Sequence, residues 1–429
     1  MKIGIIGGGA AGLTCAWLLE EKFEIILFEK LERLGGNVKT AYVTLGEKTI
    51  PIETAFEFFN SFNYPYFCKM LKILKVPVSS YPLTSTYYSS KGDVVTLPIF
   101  QKTKINWNSL FPSNLFRLIQ FKYLIIKARS FIKTNDRSVT LQEFADTLFL
   151  TKTFKDNFFY PFLAAGWGDT LDEFKKCAAY DILSWLVKNE PNKINNNLWS
   201  DIPGGTTSYI NTLVDQLSQV TVKLSATIKG IYPKNTGTYL IVQDDDTESE
   251  VDYLIIATNA DQAAKLLHTT PTMQELEKSL SKIQYFSTTI AVHGDQRLMP
   301  ANKSHWSVAN VYFDGTYSNL TTYKSWKSDT PIFRSWITPN IAKFNPPSPL
   351  YAIEYFIHAK VNRNYFEAQR IIKKYQGINN IWLAGIYVNG MDAHESAIVS
   401  AITIAKQLAP DSSRFKQLME KENTAGFCF

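Results

Sequence analysis

Three glycines at fixed spacing carry the first chemistry legible in the chain. Gly7, Gly9 and Gly12 stand in the run Gly7-Gly8-Gly9-Ala10-Ala11-Gly12, a G-x-G-x-x-G pattern. Phosphate oxygens need backbone N–H groups and a close approach, and residues without a side chain allow both. Glu29 ends the apolar run Ile25-Ile26-Leu27-Phe28, where a carboxylate can accept hydrogen bonds from a ribose. These residues must be held by a strand at Lys2–Ile6, a helix over Leu13–Glu20 and a second strand at 25–28. The helix start, at Ala10 and Ala11, adds free N–H groups and a partial positive charge. With strand, turn, helix, strand and acid in register, the segment is read as a dinucleotide site, with Lys30 beside the acid. The alternative is a tight turn that binds nothing.

Just past the acid comes Arg33-Leu34-Gly35-Gly36-Asn37. A second Gly-Gly lets the backbone approach the same ligand again. The pattern resembles the second fingerprint of flavoproteins in the glutathione-reductase and amine-oxidase group, which NAD dehydrogenases do not usually show. The resemblance implies FAD.

The length of 429 residues suggests two domains, and 45% apolar residues can fill two cores. A net charge of +6 does not by itself mean nucleic acid. Cys15, Cys68, Cys177 and Cys428 show no C-x-x-C and no paired spacing, which predicts neither a metal site nor a disulfide framework and fits a reducing compartment. The first strand begins at residue 2, and no run of eighteen apolar residues occurs, so a cytoplasmic protein is expected.

The resemblance narrows at Ile50-Pro51-Ile52-Glu53-Thr54-Ala55-Phe56 and the following Asn60 and Asn63-Tyr64-Pro65. This block resembles one in a bacterial subgroup of the flavin amine-oxidase superfamily, the predicted FAD-binding proteins often encoded beside cyclopropane fatty-acid synthases. Here Glu53 replaces an Asp and Ala55 a Gly. Phe158–Gly168 and Trp199–Thr206 resemble two further blocks of that group. After the strand-like Leu254–Thr258, Asn259 stands for its His. Ile381–Tyr387 and His394-Glu395-Ser396-Ala397 resemble its last motif, with Ser396 and Ala397 replacing Asp and Gly.

The resemblance implies that Ala55, Phe56, Ile228, Thr258, Asn259, Gly385, Ser396 and Ala397 join the glycine motifs around FAD, and that His394 and Glu395 lie near its ring as candidate catalytic residues. Helix capping is the plain alternative for those two. A helix beginning at Ser396 would aim its positive end at the flavin, and with no Cys in that loop the flavin is expected to be bound non-covalently. The expected fold is α/β: a Rossmann-like FAD domain from 1–80, 200–280 and 380–429, with an α+β substrate domain from 81–199 and 281–379. Strands at 287–293, 306–313, 318–324, 331–337 and 350–358 would give the latter a mostly antiparallel floor. Val220–Lys223, Ala226–Tyr232 and Thr238–Gln243 read as a meander, with Asp244–Glu250 an acidic turn.

Four functions stay open: an FAD oxidoreductase taking hydride from an apolar substrate such as a lipid acyl chain, an amine oxidase, a redox-neutral fatty-acid isomerase, and a flavin-fold binding protein without catalysis. Residues 101–133 hold seven cations and no acid. Apolar residues fall among them at Leu115, Leu118, Ile119, Tyr123, Ile126 and Ile132. The stretch reads first as a solvated helix with a core-facing side, and alternatively as a peripheral membrane patch.

Overall fold

The computed structural model describes residues 1–101, 104–166, 170–189, 198–391 and 393–420. The readings made above at Lys102, Trp167, Gly168 and Cys428 lie outside them. One sheet is wholly parallel and five-stranded, in the order Ile381–Leu383, Tyr253–Ile256, Lys2–Ile6, Glu24–Phe28, Val220–Lys223. A sheet covered on both faces needs continuously apolar strands. Ile3, Ile5, Ile25, Leu27, Leu254, Ile255 and Ile256 accordingly have no exposed surface.

On one face lie helix α1 (Ala10–Leu19) and the helix His394–Leu408. α1 is apolar all round and buried from Ala11 to Leu19, as a helix enclosed on every side must be. The other face is covered by an antiparallel unit of Ile228–Pro233, Tyr239–Gln243 and Glu248–Val251. Two expectations change here. Val220–Lys223 joins the parallel sheet beside Glu24–Phe28 and is no part of the meander. The acidic turn is shorter than expected, because Glu248–Val251 pairs with Tyr239–Val242 as an edge strand whose charges face solvent.

The second large sheet has seven strands: Leu350–Ala359, Tyr285–His293, Phe333–Trp336, Ser318–Tyr323, Ala309–Phe313, Ser85–Ser89 and Val94–Leu97. All neighbours are antiparallel except Ala309–Phe313 with Ser85–Ser89. His293 is a hydrogen-bonded core histidine on it, with Nε2 2.8 Å from Ser335 Oγ. Helices from the 112–188 region pack against the end of this sheet around Tyr87, Val95, Val311 and Phe313. They include α3 (Pro112–Phe131); α2 (Pro65–Ile73) belongs to the core of the parallel sheet. Cys15 and Cys177 are buried.

Candidate active site

The two glycine runs form one surface. Gly35 N donates to Gly8 O at 2.8 Å, and Gly9 and Gly35 pair as an isolated bridge. At Gly12 a Cβ would sit 1.9 Å from Gly7 O, so helix α1 can approach the strand end only without one. Gly9 is open, its nearest neighbour being Gly36 Cα at 3.9 Å from an added Cβ. The Glu29 carboxylate is buried and accepts from Gly8 N at 2.7 Å and Leu31 N at 2.9 Å. Ala226 N donates to Glu29 O, which brings the strand beginning at Ile228 alongside. Arg33 turns back on its own loop, donating to Gly36 O at 2.7 Å and more weakly to Leu34 O and Val38 O. It braces the second glycine run. Lys30 and Asn37 are exposed.

Two of the buried helices begin without a side-chain cap. Gly9 precedes α1 and Ala393 precedes His394–Leu408, and neither supplies a cap, whereas at the start of Thr206–Asp215 the Thr207 N–H donates to Thr40 Oγ1 at 3.0 Å. Elsewhere Thr140 and Glu143 form a full capping box. An uncapped start leaves N–H groups for a ligand. Thr258 and Asn259 follow the strand Tyr253–Ile256. Gly385 lies beside them, a Cβ on it falling 3.7 Å from Thr258 O, and Gly385 N donates to Ser400 Oγ. Ser396 and Ala397 are buried in the first turn of the last helix, where Ser396 Oγ donates to Met391 O.

That helix begins at His394, two residues before the expected start. Both of the candidate catalytic residues therefore sit on its first turn, and both are engaged. Glu395 caps α2, its oxygens accepting from Tyr66 N at 2.9 Å and Phe67 N at 3.0 Å. Burial pushes its pKa up to about 7 against the opposing pull of those two bonds. The His394 ring is stacked on Phe56, meets Phe67 edge-on and shares a 2.8 Å hydrogen bond with Tyr209 Oη. Burial pushes its pKa down to about 3, which keeps it neutral.

Sequence reasoning missed an internal ion network beside Ala55 and Phe56. Lys324 Nζ lies 3.0 Å from Asp201, 3.3 Å from Glu53 and 3.9 Å from Glu57, and Lys327 Nζ lies 3.2 Å from Glu53. Arg334 pairs with Glu57 at 3.5 Å and donates to Thr54 O and Ala55 O. All six charged groups are nearly or wholly buried. A Lys and an Arg within otherwise apolar and hydroxyl strands were the available signal. A separate cleft lined by Glu173, Lys176, Gln284 and Lys360 contains none of these residues.

The model of the flavin-containing amine oxidoreductases matches residues 10–334. The chain belongs to that family. Comparison with curated proteins gives no match. Among solved structures this amine oxidoreductase is similar to the CLA-producing fatty acid isomerase from P. acnes, at 13% identity and a TM-score of 0.70 over 95% of this chain and 98% of that one. Cyclohexylamine oxidase from Brevibacterium oxydans IH-35A follows at 14% and 0.66, over 95% and 99%. Putrescine oxidase bound to putrescine gives 12% and 0.66, over 96% and 99%. At such identities the likeness shows the fold alone: a Rossmann-like FAD-binding domain with a substrate domain on a mostly antiparallel sheet. The family's cofactor is FAD, held non-covalently. The residues present fit it, since the open Gly9–Gly36 cradle and the uncapped α1 suit a pyrophosphate and Glu29 keeps lone pairs for ribose hydroxyls.

Proposed function

We propose that this flavin amine oxidoreductase takes hydride from an apolar substrate, of the class of a lipid acyl chain. The observation that carries the reading is the pairing of Glu53, Glu57 and Asp201 with Lys324, Lys327 and Arg334. Glu53, Glu57 and Asp201, the carboxylates of the network beside Ala55 and Phe56, each already have a cation, so none of the three is left to receive a substrate ammonium. Bound FAD supplies the hydride acceptor. The chain's part is to bind and orient: Gly7, Gly9, Ala10, Ala11, Gly12, Gly35 and Gly36 for the pyrophosphate side, Glu29 for the ribose, Ile228, Thr258 and Asn259 near the adenosine end, and Ala55, Phe56, Gly385, Ser396 and Ala397 near the ring. His394 and Glu395 act through position, since one is neutral and the other caps α2. Hydride transfer depends on placement more than on a strong base.

The division of labour we propose assigns 1–80, 200–280 and 380–429 to FAD and 81–199 with 281–379 to the substrate. Supporting it, all five strands of the parallel sheet come from the first set and all seven strands of the other large sheet from the second. The test is anaerobic mixing of the FAD-loaded protein with unsaturated long-chain fatty acids and with primary amines. Bleaching of the flavin absorbance by the former alone is expected. Bleaching by an amine would overturn the reading in favour of an amine oxidase, and unchanged flavin with a migrated double bond in favour of an isomerase.

A further inference from the structure

Helix α3 is turned the opposite way from a helix that faces water. Its buried residues include Asn114 and Gln120, while Phe116 and Ile119 on its outer side are 55% and 65% exposed. The inward polar groups are satisfied. Asn114 Nδ2 donates to Val94 O and Asn108 O, and Gln120 Oε1 accepts from the N–H and hydroxyl of Thr151. The helix is thus anchored in this orientation by hydrogen bonds, with Leu124, Ile125 and Ala128 as its apolar contacts with the core. Of the apolar residues expected along this helix, Leu118 and Ile132 pack against the core, while Leu115, Ile119 and Ile126 are exposed.

Exposed apolar residues also occur in the chain just before the helix. Phe100, Ile105, Trp107, Phe111, Leu115, Phe116, Ile119 and Ile126 are all exposed large apolar side chains, with Trp107 at 68%. Single exposed apolar residues are ordinary, but eight within one continuous stretch mark an interaction surface. Lys104, Lys122, Lys127, Arg129 and Lys133 are exposed along the same stretch, which holds no acid from Gln101 to Lys133. At spacings of three and four, Leu115, Ile119, Lys122, Ile126, Arg129 and Lys133 share one side of the chain.

We propose that this face docks the protein on a bilayer leaflet carrying anionic phospholipid. Apolar and aromatic side chains set among cations match the layered chemistry of such a leaflet, acyl boundary below and anionic headgroups above. A second copy of the chain fits poorly, because a two-fold contact would set the same cations against one another. A nucleic acid would meet the cations but leave Phe116 and Ile119 no apolar partner. The inference does not depend on which substrate is oxidised.

The test uses the full FAD-loaded chain, sedimented with vesicles of phosphatidylcholine alone or phosphatidylcholine mixed with phosphatidylglycerol. Binding to the mixed vesicles only, weakening with added salt, is expected. Lys122→Glu with Lys127→Glu and Arg129→Glu should weaken partitioning about tenfold or more. Phe116→Ser with Ile119→Ser should weaken it at unchanged melting temperature, since both side chains are exposed, and this variant decides the matter if the charge reversals disturb folding. The proposal is overturned if the wild type sediments with neither vesicle or equally with both, or if the Phe116 and Ile119 changes leave binding intact. It is overturned equally if those changes abolish a dimer seen by analytical centrifugation while vesicles are ignored.

Discussion

The His394 imidazole lies flat on the Phe56 ring, with centroids 4.4 Å apart and planes 17° from parallel. The contact ties the first turn of the last helix to the segment that follows the Thr40–Glu53 hairpin. His394→Ala should lose the stack and the Tyr209 hydrogen bond, lowering stability by about 1–3 kcal/mol. His394→Phe keeps the stack and should lose less. Thermal unfolding of the two variants beside the wild type checks the order. A rate of anaerobic flavin reduction that collapses in both alike would contradict a positioning role.

Glu395 predicts an unusual pH response. Its folded pKa is raised from 4.5 to about 7, so between those values the folded state holds a proton that the unfolded state has released. Stability from this group is therefore present below 4.5 and falls as pH rises through 7. His394 acts in the opposite sense: with its pKa depressed from 6.5 to about 3, the unfolded state binds more protons in that window and stability rises with pH there. Between 4.5 and 6.5 the two slopes oppose each other, so Glu395→Gln, which leaves the His394 rise uncancelled, should make the melting temperature climb more steeply with pH there than in the wild type. An unchanged slope would mean that Glu395 is ionised in the folded protein.

Glu29→Ala should weaken FAD binding by about 1.5–3 kcal/mol, the contribution of a charged hydrogen bond. The loss has a second source in this fold, because the same carboxylate holds Gly8 N and Leu31 N. Fluorescence titration with FAD measures it. Unchanged affinity would remove Glu29 from the ribose site.

Lys324→Met should destabilise the protein by about 3–5 kcal/mol, since it takes from Asp201 its 3.0 Å cation and leaves three buried carboxylates to Lys327 and Arg334 alone. Adding Asp201→Asn should recover part of that. Although burial pushes Glu53 up, Lys324 and Lys327 outweigh it and hold the carboxyl below 4.5. Its contribution is present above 4.5 and lost as pH falls, and in Lys324→Met that loss should begin at higher pH. Denaturant unfolding across the acid range follows both effects.

The cofactor motifs were legible because each depends on residues close in sequence. Gly7–Gly12, Glu29 and the Arg33–Asn37 loop are local patterns, and the five strands of the antiparallel floor show as local alternation. What could not be read was partnership over distance. Nothing around Glu395 says that its carboxylate will cap Tyr66 and Phe67, and nothing around Arg334 says that it will reach Thr54 and Ala55. Helix α3 was legible as a helix with a core-facing side, but which residues face inward was not. Asn114 and Gln120 look like surface residues by type, and only their partners at Val94, Asn108 and Thr151 show that they point inward.

The order of the parallel sheet sets a timetable for synthesis. Tyr253–Ile256 lies between Lys2–Ile6 and Ile381–Leu383, so its outer edge stays bare until Ile381–Leu383 has emerged. A ribosome adds about 5–20 residues per second, and during that wait the apolar edge of Leu254, Ile255 and Ile256 is open to any other strand. The nascent protein is then a natural client for a holding chaperone, and a chain that stalls before Ile381 should aggregate even though its glycine motif has long been made.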